Sequence, residues 1–434
     1  MKRPTRSLLI PSVIIACLLP LTVSGTALAG TEDRLLTPTA TQIGVFSGVP
    51  YVQYDGIFEG TTSTGDFRVP YRITAPADPD LGNGTVLVEP PHFAAGLTVL
   101  GIYLGPDLLF SRGFAHAGVG WSTALSGGSL TQRILDPSVP GVFIRGGFKD
   151  SGGRTDTEIV ADFARALGDP EAGSVLGSLS RRYVTGVSDS SIPVLDLVTS
   201  GRASNLFDLA LPITTEWADP QPALTVGRYN GKLLIVNSES DESRTLVDRG
   251  VAPNQYRFYG VAGTPHIPDF LDVPFISSGT TPASWVPALR AHFLQGHRWV
   301  LNGTPPPQSY HLQTSKSGKI ARDAVGNAIA VDTRERPVPR LPYVELGEAR
   351  FVAGELLGSY DGVRSIAQPG YYPDHAAYLD AFRQALTVYS RAGYILAEDA
   401  ADMRARAGLC PPLTFTEIYR DRYDNFVGIE SCIG

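Results

Sequence analysis

The chain has 434 residues, a formal net charge of −7, 43% hydrophobic residues, 46 Gly and 34 Pro. That is a globular composition, without the low hydrophobicity of a disordered chain. The length suits one large α/β domain with insertions, or two domains. The acidic balance and the lack of a long basic run exclude nucleic acid as the main partner, because phosphate binding needs clustered Lys and Arg.

The first element in chain order is a processing signal. Lys2, Arg3 and Arg6 precede an apolar stretch from Leu8 to Val23, and Ala27-Leu28-Ala29 fits an A-x-A cleavage site. The expected mature chain starts at Gly30 and is secreted or periplasmic. Cleavage removes three positive charges and no acids, leaving −10. A single transmembrane anchor is the competing reading, and the short apolar run with Pro11 and Pro20 argues against it. Ile14-Ile15-Ala16-Cys17 resembles a lipoprotein cleavage box, but the apolar run continues past Cys17.

The body, 30–434, reads as one domain. Residues 42–76 are strand-like, and TVLVEPP (85–91) is a short apolar strand rich in β-branched residues. A loop and a helix follow, ended by Gly113. FAHAGVGWS (114–122) is another strand, and residues 126–153 form a turn-rich loop. TDTEIVADFARALGD opens with a capping pattern and places Ile159, Val160, Phe163 and Leu167 on one helical face. RRYVTG, LFDLALPIT, KLLIVNS and YRFYGVAG are further strands, and SWVPALRAHFLQGHRWVLNG is a helix stopped by Gly303. Strands alternating with helices predict a mostly parallel sheet with helices on both faces. Residues 270–372 are less regular and read as an insertion packed over one face. Two helices close the pattern, DHAAYLDAFRQALTVYSRAG and ILAEDAADMRARAG. In the expected mature chain Cys410 and Cys432 are the two remaining cysteines, and in an exported protein they are expected to pair.

Ligands in such sheets bind beyond the carboxyl ends of the strands. Just past RRYVTG lies Gly186-Val187-Ser188-Asp189-Ser190, a G-x-S-x-S run that lacks the second Gly of the usual nucleophile elbow. Alone it is weak, since such runs arise by chance in Ser- and Gly-rich chains. A serine hydroxyl also needs a base within reach and an acid to orient that base. Both follow in the order Ser, acid, His. Ser238-Glu239-Ser240-Asp241 comes just after one strand, and His266 lies 25 residues after Asp241 and one strand later. Asp241 is the favoured acid and Glu239 the alternative. The developing oxyanion needs backbone donors. The Asp189 N–H is one candidate, and the loop at His92, Phe93 and Ala94 is the other, with simple loop packing as the rival reading of His92 and Phe93. His116 lies within a strand and reads as structural. There is no H-E-x-x-H, C-x-x-C, P-loop or dinucleotide fingerprint, so no metal or other cofactor is expected.

Several stretches along most of this chain resemble the bacterial proteins labelled alpha/beta hydrolase domain-containing. TVLVEPPHFAAG is similar to their V-V-E-x-x-N-x-S-G-G strand and loop, RGFAHAGVGWS to R-G-Y-A-x-V-G-V-S, NSESDE to their acid loop, and YGVAGTPHIPD to E-V-A-G-x-x-H. HRWVLNGTPPP and DAVGNAIAVDTRE also look like later family segments. The resemblance implies an alpha/beta-hydrolase fold and serine hydrolase chemistry, with Ser188, Asp241 and His266 at the matching positions. The elbow departs from the family's G-x-S-Q-S-G, because Asp189 replaces Gln and Ser191 stands at the final Gly. The expected activity is cleavage of a small-molecule carboxylic ester. An amidase is the rival within the class, and a catalytically inert hydrolase-fold binding protein the rival outside it. No stable membrane anchor is expected, and the sequence leaves the oligomeric state open.

Overall fold

The computed structural model describes residues 33–92, 98, 100–121, 131–132, 144–145, 156–268, 283–347, 349–354, 358–362 and 375–407. The N-terminal signal with Cys17 and Ala29, the loop residues Phe93 and Ala94, and the Cys410–Cys432 pair lie outside the described residues.

Three long strands open the domain, β1 (Arg34–Phe46), β2 (Val49–Thr62) and β3 (Gly65–Pro76), joined as an antiparallel meander. Next come β4 (Thr85–Glu89), helix α1 (Leu100–Leu109) and β5 (Ala115–Val119). Gly105, at φ +74 and followed by Pro106, kinks α1. The stretch read as a loop over 126–153 holds a minimal two-stranded ribbon, β6 (Thr131–Gln132) with β7 (Ile144–Arg145). Helix α2 (Thr157–Ala166) is capped by Asp156, whose side chain accepts from the Glu158 N–H. Then β8 (Arg181–Val187), α3 (Ser191–Ser200), β9 (Leu209–Ile213), α4 (Gln221–Thr225), β10 (Lys232–Ser238), β11 (Tyr256–Val261) and α5 (Val286–Asn302) alternate. Gly303 ends α5 in the left-handed region, at φ +74.

The main sheet runs β1-β2-β3-β5-β4-β8-β9-β10-β11 and continues into β12 (Tyr310–Leu312) and β13 (Ala330–Asp332). Part of the less regular stretch therefore extends the sheet. From β5 to β12 the pairing is parallel throughout. Helix α6 (Pro342–Glu345), the ribbon β14 (Ala349–Val352) with β15 (Ser359–Gly362), and helices α7 (His375–Arg391) and α8 (Ala397–Ala407) complete the described chain.

Both faces of the parallel region are buried, which is why its strands read as continuous apolar runs. Alternate residues enter two separate cores. Val86, Val184, Ala210, Leu233 and Ile235 pack with α2 and α3. Leu87, Tyr183, Leu211, Leu234 and Val236 pack with α1, α5, α7 and α8. At Gly296 of α5 an added Cβ would lie 2.4 Å from a Leu234 methyl, so the glycine sets how closely helix and sheet approach. This double layer fixes the carboxyl ends of β4, β8, β10 and β11, where every described candidate residue of the site is found.

Candidate active site

Ser188 follows directly on β8 and begins a short 3-10 turn, Ser188–Ser190, that runs into α3. Its φ is +55. A non-glycine residue there costs of order 1–3 kcal/mol, and such strain is held only where the surroundings over-determine it. The surroundings do so. A Cβ on Gly186 would sit 1.9 Å from the Ser190 carbonyl oxygen, so the strand must reach the turn through a glycine. The fully buried Ser190 hydroxyl accepts from the Val187 N–H at 2.7 Å and donates to the Val187 carbonyl at 2.9 Å. Ser191 donates to the Ser188 carbonyl at 2.5 Å. Ser190 and Ser191 have φ of −76 and −74, ordinary for L-residues, so the absent second Gly is no obstacle here. Their hydroxyls brace the turn instead, a role the motif alone does not reveal.

The Ser188 hydroxyl lies 2.9 Å from His266 Nε2, and His266 Nδ1 lies 2.6 Å from Asp241 Oδ1. A carboxylate only accepts, so Nδ1 carries the proton and leaves the Nε2 lone pair facing the hydroxyl. Asp241 is itself held on both sides. Its Oδ2 accepts from the Ser238 hydroxyl at 2.5 Å, and its carbonyl accepts from Asn237 Nδ2 at 2.7 Å. Buried Asn237 also exchanges two hydrogen bonds with the Thr215 backbone, which ties the loop after β9 to the acid turn. Trp285 Nε1 donates to the His266 carbonyl at 3.3 Å. Ser238, Asn237 and Trp285 are contributions that sequence reasoning missed. The S-E-S-D run held a signal for Ser238, and nothing local pointed to Trp285.

Glu239, the alternative acid, turns elsewhere. It is 3% exposed. Its Oε2 accepts from the Gly263 N–H at 2.7 Å and its Oε1 pairs with Arg322 Nη1 at 2.5 Å. With the Glu239 N–H on the Thr264 carbonyl at 3.0 Å, it clamps the acid turn to the loop that carries His266. Gly263, at φ +80, meets the Val344 side chain where a Cβ would be, so that loop also requires its glycine.

The turn residue Asp189 presents its N–H beside Ser188, and its carboxylate faces the loop after β4. His92 Nε2 is 3.9 Å from Asp189 Oδ2. Burial lowers the His92 pKa below its ordinary value, opposed by Asp189 and reinforced by nearby His266, while Glu89 again raises it. Glu89 is fully buried and meets His116 Nε2 at 2.8 Å, so His116 binds β5 to β4 beneath the site. Among the described residues no cluster of three or more metal-ligating side chains occurs, and no helix is long and apolar enough to cross a membrane.

Several solved structures are similar to this chain at a distance. One is an S-formylglutathione hydrolase from Agrobacterium tumefaciens, with 10% identity and a TM-score of 0.31, covering 52% of this chain and 91% of that one. Acetyl xylan esterase 1 from a Thermoanaerobacterium species has 12% identity and a TM-score of 0.31, covering 53% and 81%. The rice cell wall degrading esterase LipA from Xanthomonas oryzae has 12% identity and a TM-score of 0.29, covering 44% and 52%. At that distance none of them says what this chain acts on. No curated protein matches the sequence. The alpha/beta hydrolase domain family matches residues 39–405, and the chain belongs to that family.

Proposed function

We propose that this protein is a serine hydrolase that cleaves a carboxylic ester through an acyl-enzyme. The observation that carries the reading is the unbroken hydrogen-bond chain Ser188–His266–Asp241, built on the carboxyl ends of β8, β11 and β10. Ser188 Oγ attacks the ester carbonyl as His266 Nε2 takes its proton. Asp241 keeps the imidazole in the tautomer that can do so and stabilises the imidazolium that forms. The Asp189 N–H is the proposed donor to the developing oxyanion. His266 then protonates the leaving alcohol. A water molecule, deprotonated by His266, attacks the acyl group, and Ser188 leaves with the proton restored. The reaction needs no cofactor.

The test is a fluorophosphonate probe together with a panel of matched aryl esters, lactones and amides. Labelling at Ser188 and turnover of esters, both abolished in Ser188→Ala, are expected. A folded chain that takes no label would speak for an inert binding protein, and amide turnover above ester turnover for an amidase. Export belongs to the same proposal and rests on the N-terminal pattern. Expression with the full leader is expected to yield a mature N-terminus at Gly30.

A further inference from the structure

We propose that Asp189 and His92 form a charge filter beside the nucleophile, which turns away esters with an anionic acyl chain and admits neutral or cationic ones. The proposal rests on the serine hydrolase reading and specifies its substrate class.

The two side chains belong to different elements, the turn after β8 and the loop after β4, and meet across the mouth of the site. Both are partly open to solvent, at 27% for Asp189 and 18% for His92. Their 3.9 Å separation is too long for a hydrogen bond and short enough for Asp189 to favour protonation of His92. Among the described residues, the neighbouring ion pairs do not offset Asp189. Asp241 is committed to His266, Glu239 to Arg322 and Glu89 to His116. Arg322 is the one permanent cation in these pairs, set against four carboxylates. His92 is buried enough to resist protonation, and His266 close by works against it further. With His92 resisting protonation, Asp189, the residue after Ser188, acts on an incoming acyl chain as a negative charge that none of these described pairs offsets. An acyl carboxylate about 5–6 Å away would lose on the order of tenfold in kcat/KM at an intermediate effective dielectric. Salt would weaken that penalty.

The experiment compares an aryl hemisuccinate with its methyl-ester isostere, in wild type and in Asp189→Asn. Wild type is expected to favour the neutral ester by about tenfold, and Asp189→Asn to bring the ratio close to one. Because the ratio is taken within each variant, a general loss of rate in Asp189→Asn does not disturb it. An unchanged ratio overturns the filter while leaving the hydrolase reading intact. Wild type that turns over neither ester overturns the hydrolase reading, and the filter falls with it. The electrostatic pair is read separately, by NMR titration of His92 in the Ser188→Ala chain. Adding Asp189→Asn should lower the His92 pKa, since Asp189 is the foremost of the groups that raise it. Asp241, Glu89 and His266 are unaltered in that comparison, and an unmoved His92 titration would overturn the pairing whatever the kinetics show.

Discussion

The antiparallel edge and the parallel centre of the sheet use buried charge in opposite ways. At the edge, Asp55 of β2 and Arg72 of β3 sit directly opposite each other in the register, and Arg72 Nη2 donates to Asp55 Oδ2 at 2.8 Å. Arg72 is 1% exposed, and this pair holds two strands together. At the carboxyl ends of the centre, Asp241 and Glu239 lie two residues apart on one turn. One points into the mouth of the site and the other into the loop packing. Parallel strands end side by side, so loops distant in sequence converge there, and a carboxylate can orient a group from another loop. In a meander each strand meets its chain neighbour, and a buried ion pair has only cohesion to offer.

The sharpest way to break this contrast is at Ser188. Ser188→Ala should lower kcat/KM on any accepted ester by at least about 10⁴-fold. It should leave thermal unfolding nearly unchanged, because Ala keeps the Cβ and the positive φ of a turn that its neighbours hold. Asp241→Asn should follow, with a fall of about 10⁴-fold in kcat, since an amide can fix the wrong imidazole tautomer. Its fluorophosphonate labelling should be slowed rather than abolished. Equal activity of Asp241→Asn and wild type would remove Asp241 from the proposed mechanism and return attention to Glu239.

The edge should answer in the other currency. Asp55→Ala leaves the buried Arg72 guanidinium without its opposite carboxylate, and breaking such a pair costs about 3–5 kcal/mol. Urea unfolding should show that loss, while kcat/KM per folded molecule stays at the wild-type value. A comparable loss of kcat/KM in Asp55→Ala would show that the two regions are coupled and the division of labour is wrong.

Much of the fold was legible because double burial leaves a plain mark. TVLVE, RRYVTGV, KLLIVNS and YRFYGV carry apolar residues on both faces, and each is a parallel strand. The order of Ser188, Asp241 and His266 after three of them was legible for the same reason. What hid from the sequence was contact between segments far apart in the chain. Glu239 and Asp241 look alike in S-E-S-D, and only Gly263 and Arg322, brought in from elsewhere, separate their roles. The elbow looked incomplete because the missing glycine is read as a missing conformation, whereas Ser190 adopts negative φ and uses its hydroxyl. In the motif patterns quoted above, His92 stands at an Asn and Asp189 at a Gln. Each departure is puzzling singly, and the structure puts them face to face.

The mildest prediction concerns the same acid turn, one residue on. Glu242 carries a buried carboxyl whose pKa is pushed up to about 8, mainly by burial, with Glu239 adding and the Leu312 backbone opposing. Its Oε2 occupies the space against Gly260 of β11, where a Cβ would come within 2.6 Å of it. The folded chain thus holds a proton that the unfolded chain releases near pH 4.5. Between those two values the folded state binds more protons, so the stability this group contributes is full below about pH 4.5 and is lost as pH rises through about 8. The slope is at most about 1.4 kcal/mol per pH unit. Glu242→Gln keeps the shape and removes the titration, so its stability should vary less across that window and exceed that of wild type at pH 8. Denaturant midpoints at pH 5, 6.5 and 8 would check it. Parallel curves for the two chains would mean that Glu242 stays ionised, which would place a further full charge behind Asp241 and make the centre still more acidic than the edge.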